Sequence, residues 1–143
     1  MTSNNSNNAP IMILGSTSFA GSKFIDFLLD KNYSVFGISR SKEDKILFQK
    51  DRYLFLNKKY YSYTLDINKD IQSIVRIIKK NKIEIIVDFL GQGMVAESWI
   101  HPEQWFQTNL LSKVKLINNI KDFNFLKKYI RISTPEVYGN KKN

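Results

Sequence analysis

The sequence predicts a doubly wound α/β fold, and three observations carry that reading. Short apolar runs alternate along the chain with stretches whose apolar residues recur at helical spacing. The first of those runs is continuous rather than alternating, as a strand buried on both faces must be. A glycine-bounded turn then joins it directly to the first helical stretch. Strands that alternate with helices require crossovers, which are right-handed and give a parallel sheet covered on both faces.

Met1 to Ala9 is rich in Asn and Ser and reads as a disordered polar tail, so the ordered domain is expected over residues 10–143. Pro10-Ile11-Met12-Ile13-Leu14 is the first strand, ended by Gly15. From Phe19 to Leu29 the residues Phe19, Ala20, Phe24, Ile25, Phe27, Leu28 and Leu29 fall on a helical period, and Lys31-Asn32 supplies the stop. Tyr33 to Ile38 is a second strand and Tyr60 to Leu65 a third. The charged stretch between them, Ser41 to Lys59, carries Phe48, Tyr53 and Phe55 and is the segment least open to assignment. Ile71, Ile74, Val75, Ile77 and Ile78 make one helix face. Ile83 to Leu90 has the β-branched bias of a strand, Glu103 to Phe123 carries a further helix, and Tyr129 to Ser133 is a last strand. Five strands in one domain are expected, because 143 residues suffice for one core and no repeat or linker divides them.

Composition narrows the function classes. There are no cysteines, which excludes a disulfide framework and thiolate metal ligation and fits a reducing cytoplasm. His101 is the single histidine, so no metal site is expected. No run approaches the roughly 20 apolar residues of a membrane span, and the first residues lack the basic patch and apolar stretch of a signal peptide. No membrane partner is therefore expected. The net charge of +9, from 22 Lys and Arg against 13 Asp and Glu, attracts polyanions such as nucleic acid, an anionic membrane surface or phosphate-bearing small molecules, although a merely solvated surface is the stronger reading of it. The basic stretch Lys42 to Lys59, with Phe48, Tyr53, Phe55 and Tyr60 interleaved, also suits single-stranded nucleic acid. Packing of those aromatics on the sheet is the stronger reading, and nucleic acid is not the expected partner.

The turn Gly15-Ser16-Thr17-Ser18-Phe19-Ala20-Gly21 lies where a doubly wound sheet offers the free N–H groups of its first helix to a pyrophosphate. Gly15 permits the sharp turn and Gly21 the close packing of helix on strand. In such folds an acid at the end of the second strand bonds the ribose 2′-hydroxyl of NAD, whereas an arginine there accommodates the 2′-phosphate of NADP. Here the residues are Ser39-Arg40-Ser41, so NADP is favoured over NAD.

Further motifs follow in order. Leu65-Asp66-Ile67 ends the third strand and Leu90-Gly91-Gln92 the fourth; Ser98, Pro102 and Asn109 come next, and Ile132-Ser133-Thr134-Pro135-Glu136-Val137-Tyr138-Gly139 closes the series. Together with the glycine turn, these residues resemble the amino-terminal, Rossmann-type half of the extended short-chain dehydrogenase/reductases, specifically the nucleotide-sugar 4,6-dehydratases and epimerases. The resemblance covers about residues 10 to 140. In the family's G-x-x-G-x-x-G turn Ser18 stands for the middle glycine.

The resemblance implies that Asp66 and Ile67 meet the adenine ring and that Leu90, Gly91 and Gln92 line the ribose and nicotinamide. It also implies that Thr134 is the catalytic threonine and that Glu136 removes the C5 proton once the sugar is oxidised at C4. Pro135 occupies a position that is often acidic in the dehydratases. The family's catalytic Tyr-Lys pair lies well beyond this motif. Tyr138 and Lys142 share its spacing, but Tyr138 matches the motif's structural tyrosine, so the pair and the substrate domain are expected past Asn143. The implied partner is a nucleotide-diphosphate sugar, and family members are often homodimers. The other reading is a non-catalytic NADP-binding sensor or scaffold, which would bind cofactor without turnover.

Overall fold

The computed structural model describes residues 8–42 and 59–139, with only the backbone of Pro135 and Glu136. The polar tail up to residue 7 and most of the stretch between Ser41 and Lys59 thus lie outside the described residues. Five strands form one parallel sheet: β1 (Ile11–Leu14), β2 (Val35–Ser39), β3 (Tyr60–Thr64), β4 (Ile85–Asp88) and β5 (Lys128–Arg131), in the order β3-β2-β1-β4-β5. The helices are α1 (Phe19–Asp30), α2 (Ile71–Lys80), α3 (Val95–Ile100) and α4 (Pro102–Phe106), followed without a break by a π-helical turn (Gln107–Leu111) and α5 (Ser112–Ile120). The doubly wound parallel fold expected from the sequence is the fold observed. Among the described residues no helix is long and apolar enough to cross a membrane.

Strand parity explains why β1 is apolar throughout. Ile11 and Ile13 join Ile25, Leu28 and Leu29 of α1 on one face, while Met12 and Leu14 join Ile74 and Ile78 of α2 and Leu116 and Ile120 of α5 on the other. Ile74 and Ile78 are fully buried, and each such side chain contributes about 2 kcal/mol. The same parity operates in β4, where Ile86 faces the α2 and α5 side and Val87 the α1 side. Asp88 is therefore directed beneath α5.

β2 begins at Val35 and β5 ends at Arg131, each two residues inside its expected limit, and three further elements differ from their expected form. β4 is shorter than Ile83 to Leu90, because the Ile83 N–H closes the end of α2 on the Ile78 carbonyl. At its other end the Leu90 N–H turns from the ladder to the Asp88 carboxylate. The helix expected over Glu103 to Phe123 begins at Pro102, widens into the π turn and ends at Ile120. α3 was not foreseen; it buries none of its residues, so no apolar period marks it.

Candidate functional site

Strand order reverses between β1 and β4, and ligands of open α/β sheets bind in the crevice beyond the carboxyl ends of strands at such a point. A cleft of about 250 Å³ opens there. Gly15, Thr17 and Ser18 line it from the first turn, and Ser39, Arg40 and Ser41 from the end of β2. Leu65 to Asn68 come from the end of β3, Phe89 to Gln92 from the end of β4, and Thr108 from the π turn.

The first turn is built to bring α1 close to β1. Gly15 has φ +84°, and a Cβ there would come within 3.1 Å of the Leu90 nitrogen and the Phe89 carbonyl carbon. A Cβ on Gly21 would lie 2.3 Å from the Gly15 oxygen, so only glycine lets the helix start where it does. Ser18 takes extended backbone as the N-cap; its hydroxyl donates to the Gly15 oxygen at 2.8 Å and accepts from the Gly21 N–H at 3.0 Å. No left-handed conformation is needed at that position, which is why serine serves where the family turn has glycine. The caps leave the N–H groups of Phe19 and Ala20 without intrahelical acceptors, as at any helix start.

Of the residues expected to hold a cofactor, eleven line the cleft: Gly15, Thr17, Ser18, Ser39, Arg40, Ser41, Asp66, Ile67, Leu90, Gly91 and Gln92. Four do not. Ser16 and Gly21 are buried beneath the turn, and the side chains of Phe19 and Ala20 are exposed at the start of α1. Thr134 is exposed beyond β5 and does not line the cleft. The side chain of Glu136 is outside the described residues.

Two polar networks fix the cleft wall. The Asp66 carboxylate accepts from the Asn68 N–H, Asp70 accepts from the Asp66 N–H, and Asn68 donates to Thr108 at 3.0 Å and accepts from Ser112 at 2.7 Å. The π turn thereby locks the loop after β3 to the helix that crosses behind it, in keeping with the frequent placement of π-bulges at functional sites. Next to Thr108, Asn109 accepts from the Gln92 N–H at 2.9 Å and donates to the Gln92 carbonyl at 3.1 Å.

A further network, centred on Asp88, has no counterpart among the residues expected from the sequence. Asp88 has 0 % exposure, and its carboxylate accepts from Lys113 at 2.6 and 2.7 Å, Tyr129 at 2.7 Å, Arg131 at 2.9 Å and the Leu90 N–H at 2.9 Å. Two signals in the sequence could have found it. Asp88 interrupts the β-branched run of β4, and Lys113 occupies the helical stripe that continues as Leu116 and Ile120. A charge in each of two apolar patterns is the signature of a buried ion pair.

Burial lowers the Lys113 ammonium from 10.5 to about 8, against the pull of Asp88 and helped by Arg131. Burial and the neighbouring Asp88 raise the Tyr129 phenol above its usual 10.0. Between about pH 8 and 10 the unfolded chain therefore keeps a lysine proton that the folded chain has released, and stability rises with pH. Above about pH 10 the unfolded chain loses a phenol proton that folded Tyr129 keeps, and the trend reverses. Urea denaturation at about pH 7.5 and about pH 10 should show the wild type gaining about 2 kcal/mol relative to Lys113→Met. Parallel pH curves for the two proteins would show that Lys113 is not held in this way.

Against this geometry the comparisons are specific. The sequence matches the family model for GDP-mannose 4,6 dehydratase over residues 12–143. A GDP-mannose 4,6-dehydratase of Vibrio cholerae is 27% identical over 136 residues, which cover 90% of this chain and 36% of that protein. Among solved structures, a UDP-glucose 4-epimerase of Stenotrophomonas maltophila with bound NAD superimposes with a TM-score of 0.80 at 18% identity, over 95% of this chain and 40% of the other. The UDP-glucose 4-epimerase of Bifidobacterium longum, in complex with NAD+ and UDP, gives 0.78 at 25% identity over 92% and 38%. The chain thus spans little more than a third of the length of the curated relative it matches. With the family model matched along nearly its whole length, the chain belongs to the GDP-mannose 4,6 dehydratase family.

Proposed function

We propose that the chain is the cofactor-binding part of an NAD(P)-dependent enzyme that modifies nucleotide-diphosphate sugars, of the dehydratase or epimerase type. The observation that carries this reading is the cleft at the switch point. It is flanked by Ser39-Arg40-Ser41 and Asp66 on one side and by Leu90-Gly91-Gln92 on the other, with the start of α1 between. That arrangement suits a dinucleotide lying across the strand ends, its pyrophosphate at the N-terminus of α1. Bound cofactor would supply hydride acceptance from the sugar. The chain's own part is to orient it: Ser39, Arg40 and Ser41 at the adenosine ribose, Asp66 and Ile67 at the adenine, and Leu90 to Gln92 at the nicotinamide end. Thr134 and Glu136, just past β5, are the share of the substrate site that this chain contributes, Thr134 as a hydroxyl toward the sugar and Glu136 as the base for its C5 proton.

Arg40 is exposed on the cleft, and neither Ser39 nor Ser41 brings a carboxylate to repel a 2′-phosphate. NADPH is therefore the preferred cofactor. The Stenotrophomonas and Bifidobacterium enzymes hold NAD, which favours the alternative. Calorimetric titration separates the two. NADPH is expected to bind about tenfold more tightly than NADH, as a charge-assisted contact implies, with the preference lost in Arg40→Ala. Equal affinities, or a preference that survives in Arg40→Ala, would exclude Arg40 as the reader of the phosphate; binding of neither would remove the cofactor reading.

A further inference from the structure

We propose that Asp88 and Arg131 are positioning residues for the nicotinamide half of the cofactor, acting through the loop Leu90-Gly91-Gln92. The proposal rests on the cofactor reading above and adds to it residues that no motif marks.

The loop is held at four backbone groups by three side chains. Asp88 accepts from the Leu90 N–H at 2.9 Å, and Arg131 donates to the Leu90 carbonyl. Asn109 accepts from the Gln92 N–H and donates to the Gln92 carbonyl. Gly91 lies between the two clamps and close to both: a Cβ there would stand 3.3 Å from the Asn109 Oδ1 and 3.6 Å from an Arg131 guanidinium nitrogen. A loop otherwise chooses its peptide orientations by what its N–H and C=O groups can find, so side chains that satisfy them in one arrangement select that arrangement.

Register produces the Leu90 clamp. Asp88 pairs with Arg131 across the β4–β5 ladder, and Ile86 with Tyr129, so all four side chains lie on the face covered by α5. α5 brings Lys113 to both carboxylate oxygens, while Tyr129 and Arg131 donate to Oδ2 and the Leu90 N–H to Oδ1. The core does not require this charge. β4 is covered on both faces and an apolar residue would fill the position, while a buried ion pair is weak grounds for stability. Among the described residues, the groups outside the cluster that the carboxylate and the Arg131 guanidinium hydrogen-bond are the N–H and C=O of Leu90.

The half of the cofactor concerned follows from the sheet. With the adenosine ribose at Arg40 beyond β2, a molecule spanning the switch point has its other half beyond β4, at Leu90 to Gln92.

The test uses Arg131→Met and Arg131→Gln. The Arg131 side chain is 35 % exposed, and its removal leaves Asp88 paired with Lys113, so folding is expected to survive. Wild type and variants are titrated with NADPH and NADH, and with adenosine 2′,5′-bisphosphate and ADP, which carry the adenosine half alone. The variants are expected to weaken the tighter dinucleotide by about tenfold and to change the half-molecules by less than about twofold. A purely structural role would weaken both alike. Equal weakening of both, or unchanged binding of both, would overturn the positioning role. A wild-type chain that binds none of the four molecules would overturn the cofactor reading itself, and this one with it.

Discussion

Gly21→Ala is expected to destabilise the chain by about 3 kcal/mol, the sum of a steric clash and a lost cap, and to lower its melting temperature by roughly 10 °C. The added methyl would stand 2.3 Å from the Gly15 oxygen and 2.8 Å from the Ser18 hydroxyl. The first of these is backbone, held by the Gly15 N–H on the Ile38 carbonyl and by the Ser18 N–H on the Gly15 oxygen, and it has nowhere to go. The second is the cap of α1, so relief of the clash also breaks the bond to the Gly21 N–H. Gly93→Ala is the control, since a Cβ there meets nothing within 4 Å, and its effect should stay within about 0.5 kcal/mol. Thermal unfolding followed by circular dichroism compares the two. A Gly21→Ala protein that melts with Gly93→Ala would mean that α1 does not begin against the Gly15 carbonyl.

That contrast shows what the sequence could disclose. Gly15 and Gly21 were legible because a glycine-bounded turn after a buried strand has few meanings, and the five strands because short apolar or aromatic runs alternate with helical stretches, β-branched in β4 and tyrosine-rich in β3. The cleft lining from Ser39 to Ser41 and from Leu90 to Gln92 followed from the same logic, each segment ending a strand. What was hidden depends on contacts far apart in the chain. Lys113 and Asp88 are 25 residues apart, Arg131 and Asp88 43, and Asn68 and Thr108 40, so no local pattern joins them. The π turn was hidden as well, because its residues keep a helical composition and only the aim of Thr108 and Asn109 betrays the extra residue.

The largest single effect is expected at Asp88. Asp88→Leu should cost about 4 kcal/mol, because it leaves the Lys113 ammonium, 6 % exposed, with no counter-ion inside the core. Arg131 worsens the position rather than relieving it, since two cations then share one site, although Arg131 can turn outward from its third-exposed place. Lys113 can escape by releasing its proton, yet holding a lysine neutral near pH 7 costs a comparable amount. The Tyr129 hydroxyl and the Leu90 N–H lose their acceptor in the same stroke. Replacing both charges removes the cause. Asp88→Leu combined with Lys113→Met fills the same space with apolar side chains, and the double variant should recover most of the loss, for a coupling energy of about 3 kcal/mol. Urea denaturation of the wild type, the two single variants and the double variant completes the cycle. If the double variant were as unstable as Asp88→Leu alone, the penalty would come from packing or from the Leu90 loop, and the buried lysine would not be its source. Cofactor titration of a well-folded double variant then separates the two duties of the carboxylate: stability returns with the apolar pair, but the Leu90 N–H still lacks its acceptor, so the dinucleotide should remain more weakly held.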